Sequence, residues 1–305
     1  MKAIILAGGL GTRLRPTTLT LPKQLIRIAG KYIIEHSIEK IRMAGFDDIG
    51  IVVSPTSKNL YENKLSHIPN LSYIIQDSPD GLAHAVYSSK GFLGSNDPFL
   101  TFLGDNIFET EFPKVDEFKE DFAAKIILKP VEDPRSLGVA VIESSKVISL
   151  VEKPQIPPSN LGVCGMYLLT PEIWGAIESL KPSARGEYEI TDAISSLIST
   201  VRGVHYKMID GFWYDAGSLS DLLKANHALV KQESVKIVNG SHIFKSSIGE
   251  NVDLRDCHIT NSIILDGSRI TYAEIKDSLI GENVQIKSSI RLTESHIGSY
   301  TTIGV

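Results

Sequence analysis

Cysteine is nearly absent: only Cys164 and Cys257 stand in 305 residues, far apart and without a cluster of histidines beside either. That excludes a disulfide framework, offers no zinc-site spacing and leads us to expect a reducing, cytoplasmic setting. Long apolar runs are missing too. The N-terminal stretch from Ala3 to Ala7 stops at a glycine pair, and no window reaches the roughly 18 apolar residues of a membrane span. Neither a membrane segment nor a signal peptide is expected. Lys and Arg form no run, and at a net charge of −5 the cations stand singly, which argues against a nucleic-acid polymer as partner. The rest, 42% hydrophobic and 22% charged, suits one large domain and a smaller one.

Two familiar phosphate motifs are absent where the chain invites them. The glycine stretch after the first apolar run lacks the third glycine of a dinucleotide fingerprint, Leu14 standing in its place, and it lacks the Gly-Lys-Ser/Thr of a Walker loop. What stands there is MKAIILAGGLGTRLRPTTLTLPK: a buried-strand pattern from Ala3 to Ala7, then Gly8, Gly9 and Gly11, then Thr12, Arg13 and Lys23. Glycines let backbone amides approach an anion, Arg13 can take two phosphate oxygens, and Lys23 adds a point charge, so a nucleoside triphosphate suits the stretch.

Further on, Ile34, Ile38 and Ile41 recur at helical spacing between Tyr32 and Ala44, with Gly45 as the stop, and residues 49–54 read as the next strand. Strand, helix and strand make a βαβ unit, which implies a parallel sheet with ligands at the carboxyl ends of its strands. Strands are expected at 72–76, 98–103, 122–131, 137–144 and 160–169, and helices at 81–92, from Pro171, at 189–200, and from Ser218 to about Lys231. Beyond residue 236 apolar positions recur every 16 residues. Ile248, Ile264 and Ile280 form one series, Leu254, Ile270 and Ile286 a second, Ile259 and Ile275 a third. No helical period fits, whereas three short strands per turn explain all three series.

As written, LAGGLGTRLRPTTLTLPKQL resembles the signature of the sugar-phosphate nucleotidyltransferases, most nearly their thymidylyltransferase branch, and the resemblance covers residues 1 to about 230. The tail resembles the left-handed β-helix of hexapeptide-repeat proteins. The expected fold is therefore α/β: a Rossmann-like mixed-sheet catalytic domain over 1–235, then a short left-handed parallel β-helix over 236–305. The resemblance implies transfer of a nucleotidyl group from dTTP, or secondarily UTP, to glucose 1-phosphate, with pyrophosphate released and Mg²⁺ required.

By the same resemblance Leu6, Gly8, Gly9, Gly11, Thr12, Arg13, Gln76, Gly81 and Asp105 bind the nucleotide, and Asp105 and Asp215 hold the metal. Gly138, Glu152, Lys153, Tyr167, Arg185 and Trp213 receive the sugar phosphate, and Arg13, Lys23, Asp105, Lys153 and Asp215 form the catalytic set. Each has a chemical reason. The Gln76 amide offers donor and acceptor to one base edge, Glu152 can accept from adjacent sugar hydroxyls, Lys153 and Arg185 can neutralise a phosphate, and two carboxylates suit a hard cation. His84 and Tyr32 depart from the thymidylyltransferase pattern, which has Gln and Pro there. A non-catalytic regulatory subunit would lack the loop Arg, the Lys or a metal Asp, and all are present. The tail, whose repeats run to Ile303 without a polar cap, is expected to assemble homo-oligomers while catalysis resides before it.

Overall fold

The computed structural model describes residues 1–119, 121–230 and 235–304. The chain divides into two compact units, Met1–Gly9 with Ile38–Gly211, and Leu10–Ser37 with Phe212–Val305.

The first unit is built on a nine-stranded sheet: β1 (Lys2–Leu6), β2 (Asp48–Val53), β3 (Leu71–Ile75), β4 (Phe99–Leu103), β5 (Ala124–Pro130), β6 (Gly138–Glu143), β7 (Lys146–Glu152), β8 (Leu161–Leu169) and β9 (Val204–Met208). Their order is β3-β2-β1-β4-β8-β5-β9-β7-β6. The block β3-β2-β1-β4 is parallel, as the βαβ reading requires, and β8 enters antiparallel to β4 and to β5. Ile4, Val52, Phe99 and Leu128 are wholly or almost wholly buried, together with Trp174 and Ile194 from the covering helices Glu172–Glu178 and Ile190–Ser196. Between Val163 and Tyr167 the register of β8 against β5 slips. Gly165 lies there at φ +60°, and a Cβ on it would meet Leu103 Cδ1 at 2.7 Å, so the bulge needs glycine.

One expectation is corrected, two strands are added, and one helix is borne out. The helix expected at 81–92 is two, Leu82–Ser88 and Lys90–Leu93, divided at Ser89, whose hydroxyl donates back to the Ala85 carbonyl. Strands β7 and β9, unread in the sequence, complete the sheet. The helix expected over Tyr32–Ala44 spans Ile33–Met43, and Gly45, at φ +95°, ends it with the Phe46 amide donating to the Ile41 carbonyl.

In the second unit the repeat tail forms three parallel ladders, consistent with a left-handed β-helix. Ile248 pairs with Ile264 and Ile264 with Ile280; Leu254 pairs with Ile270 and Ile270 with Ile286; Ile259 pairs with Ile275. These are the three series of the sequence, in register. The last coil departs by one residue, because Ile275 pairs with Leu292, Ile280 with Ile297 and Ile286 with Ile303. One corner carries a serine ladder. The amides of Ser262, Ser278 and Ser295 donate to the hydroxyls of Ser246, Ser262 and Ser278, and each of those hydroxyls donates to the carbonyl two residues before it. The helix beginning at Ser218 spans Leu219–Leu229, the Ser218 hydroxyl accepting from the Asp221 amide; Lys231, its expected end, lies outside the described residues.

Candidate active site

In the first unit, the residues just past the carboxyl ends of β3, β2, β1 and β4 form one edge, the place where open parallel sheets take ligands. The Gln76 amide donates to the Val53 carbonyl, Ala7 to Val52, and Gly104 to Leu6. Gln76, 7% exposed, turns its side-chain oxygen toward Gly8, where a Cβ would lie 2.8 Å from it. Its Nε2 donates to the Gly81 carbonyl at 3.2 Å, and the His84 ring nitrogen Nδ1 lies 3.2 Å from the Ser78 carbonyl. Gly81 has φ +110°, and a Cβ there would fall 2.6 Å from the Tyr188 carbonyl oxygen, so glycine is needed for backbone packing whatever else it does. Asp105, half-buried after β4, accepts from Asn106 Nδ2 at 2.9 Å. Its charge, after burial, helps push the Tyr61 phenol far above its ordinary pKa.

The same unit gathers a second group of expected residues. Gly138 pairs with Glu152 across β6 and β7, and a Cβ on Gly138 would meet the Glu152 carboxylate at 3.5 Å. Glu152 Oε2 accepts from the Thr191 hydroxyl at 2.6 Å, and Oε1 lies 3.4 Å from both Lys153 Nζ and Arg185 Nη2. Lys153 itself sits at φ +41°, a left-handed conformation costing a residue with a side chain roughly 1–3 kcal/mol. Arg185 is held more closely by Glu189, at 2.7 Å. Burial, then the charges of Glu189 and Glu152, raise the Asp192 carboxyl above its usual range. Tyr167, 5% exposed, is part of the sheet core. Thr191 and Glu189 were not singled out in the sequence, although both stand within a few residues of Arg185.

In the second unit, Thr12–Leu14, Thr17–Leu19 and Lys23–Leu25 are three short 3-10 turns in succession. Gly11, at φ +60°, lies beside the Lys23 stem and accepts a hydrogen bond from the Thr18 hydroxyl at 2.8 Å. Arg13 Nη2 approaches Asp215 Oδ2 to 3.7 Å. Asp215 ends the strand Trp213–Asp215. Gly217 makes this pairing possible, since a Cβ on it would collide with the Arg13 guanidinium. Its role went unseen in the sequence, where it reads as loop before a helix cap. Thus Arg13, Asp215 and Lys23 belong to one unit, and Gln76, Gly81, Asp105 and the Glu152 group to the other.

Among the described residues no cluster of three His, Cys, Asp or Glu forms a metal site. The two expected ligands are carboxylates, hard oxygen donors of the kind Mg²⁺ takes with water and phosphate oxygens filling its other positions, so the donor chemistry fits that ion. No helix among the described residues is long and apolar enough to cross a membrane.

A strand-to-glycine-loop edge on a mixed sheet defines the class, and sequence comparison agrees: residues 2–232 match the profile of the nucleotidyl transferase family. The chain belongs to that family, and it is a sugar-phosphate nucleotidyltransferase. It is 36% identical to a low-salt glycan biosynthesis nucleotidyltransferase of Haloferax volcanii, over 95% of this chain and 94% of that one. It is 38% identical to a glucose-1-phosphate thymidylyltransferase of Streptomyces griseus, over 99% of this chain and 82% of that one. Among solved structures, a Bacillus anthracis protein taken to be a glucose-1-phosphate thymidylyltransferase, in complex with a sucrose, superposes with a TM-score of 0.68 at 36% identity, covering 77% of this chain and 98% of that one.

Proposed function

We propose that this chain joins dTTP to glucose 1-phosphate, giving dTDP-glucose and pyrophosphate, with UTP as the secondary nucleotide. The observation that carries the reading is Gln76, buried at the sheet edge with its amide oxygen against Gly8 and its nitrogen on Gly81. A fixed amide of this kind presents an acceptor and a donor to a pyrimidine edge. It does not sense the thymine methyl, and a methyl contact is worth about 1 kcal/mol, so use of both nucleotides is expected.

In this reading the phosphate oxygen of the sugar attacks the α-phosphorus in line and pyrophosphate leaves, with no covalent intermediate and no general base. The attacking group is already an anion. Arg13 and Lys23 neutralise charge on the triphosphate, Lys153 and Arg185 hold the sugar phosphate, and Glu152, oriented by Thr191, accepts from sugar hydroxyls. Gly138, Tyr167 and Trp213 complete the sugar side. Mg²⁺, held by Asp105 and Asp215, would supply Lewis-acid charge stabilisation at the phosphates. We assign residues 1–235 to catalysis and 236–305 to the solenoid, through which the protein assembles as a homo-oligomer in the cytoplasm.

The test is pyrophosphate release measured for four nucleoside triphosphates against several sugar 1-phosphates. The highest kcat/KM is expected for dTTP with glucose 1-phosphate, with UTP next. A purine triphosphate as the best donor would overturn the assignment of Gln76.

A further inference from the structure

The loop over residues 11–25 carries Arg13 and Lys23 on 3-10 turns of three residues each. Such turns have no continuing ladder of hydrogen bonds to stiffen them, so the loop's place is set by what it rests on. Within the second unit it rests on the final coil of the solenoid. The Thr17 hydroxyl, in a residue with no exposed surface, lies 2.8 Å from His296 Nε2. Pro16 sits over Gly298, where a Cβ would meet its ring at 3.1 Å, and the Thr20 hydroxyl donates to the Ser299 hydroxyl at 3.1 Å. A further contact lies three coils earlier: Arg27 pairs with Glu250 at 3.0 Å. Burial lowers the His296 pKa, which favours the neutral ring beside a neutral hydroxyl.

We propose that His296 is a positioning residue for nucleotidyl transfer: it holds Thr17, and through Thr17 it fixes the loop that presents Arg13 and Lys23. The solenoid is then part of the catalytic apparatus as well as an assembly element. No pattern of residues announces this contact, because Thr17 and His296 are separated by almost the whole chain. What the loop does chemically rests on the function proposed above; that His296 holds it does not.

Hydrogen exchange of the substrate-free, full-length protein separates the two. In His296→Ala, the amides of residues 11–25 should exchange about tenfold faster or more, while those of β1 and the earlier coils keep their wild-type rates. In the pyrophosphate assay with the best substrate pair, the same variant should lose about tenfold in kcat with the sugar-phosphate KM nearly unchanged. His296→Gln, which can still meet the hydroxyl, should recover much of both. Thr17→Val combined with His296→Ala should be little worse than either alone, because both delete one interaction. Unchanged loop exchange in His296→Ala would overturn the proposal, as would losses that multiply in the double variant. A wild-type protein releasing no pyrophosphate from any pair would sink the functional reading, while the exchange arm would still decide the role of His296.

Discussion

At the scale of single residues, the crowding around Gly217 makes the sharpest prediction. Its missing side chain leaves room for Arg13 against Asp215. Gly217→Ala should therefore displace the guanidinium and lower kcat at least tenfold, with a melting temperature close to wild type, since what must move is the end of the exposed Arg13 side chain. Asp105→Asn and Asp215→Asn should each cost at least about a hundredfold in turnover if both carboxylates hold the metal; near-normal activity in either would end that assignment. Cys164 gives a prediction about pH. Burial pushes its thiol up to about 12 from an ordinary 9.0. The unfolded chain loses that proton first, so stability should fall as the pH climbs from about 9 to about 12. Denaturant melts of wild type and Cys164→Ala across that range should show the alkaline loss smaller in the variant.

At the scale of elements, the serine ladder ties one coil to the next through groups without access to water. Ser262 has no exposed surface, and its hydroxyl accepts from the Ser278 amide. Ser262→Ala leaves that buried amide without its acceptor, which should destabilise the protein by about 1–3 kcal/mol in chemical denaturation while leaving catalysis of the folded fraction intact. How far such elements could be read in advance depended on pattern length. The 16-residue series named the ladder partners correctly because each coil repeats the same inward positions. The one-residue excess in the last coil escaped because the steps from Ile275, Ile280 and Ile286 fall at Leu292, Ile297 and Ile303, apolar residues one place late. Strand β7 was missed because a bulge between Val147 and Ser149 breaks its alternation, and β9, VHYKM, is short and polar. The division at Ser89 comes from a side chain bonding to backbone, which periodicity does not record.

At the scale of the whole molecule, the residues of the candidate site were legible as a list and not as an arrangement. The glycine loop, Gln76, Asp105, Glu152 and Asp215 could be named because each follows a recognisable strand or motif. Their partners Thr191, Glu189, Gly217 and His296 could not, being chosen by three-dimensional proximity alone. The contacts of Thr17 and Thr20 with the final coil also change one expectation. Removing residues 236–305 should now depress turnover as well as oligomeric order, each measurable on the same sample by pyrophosphate release and light scattering. A truncated protein with full turnover and unchanged mass would contradict both roles of the tail.

Because the latch on Thr17 sits three coils beyond Glu250, the partner of Arg27, the solenoid works as a ruler, and the number of rungs between the two contacts is a dimension of the enzyme. Asp256 and Tyr272 occupy equivalent left-handed corners, at φ +51° and +54°. Excising residues 256–271 would therefore join one corner to its equivalent and leave a well-formed but shorter stack. Its end would withdraw by one rung, about 4.8 Å, and His296 would no longer meet Thr17. Such a variant should keep its β-structure by circular dichroism and lose turnover, whereas exchanging side chains on the outer faces of the same rungs should preserve both. The rungs between Glu250 and His296 thus set where the catalytic loop sits, and their outer faces do not.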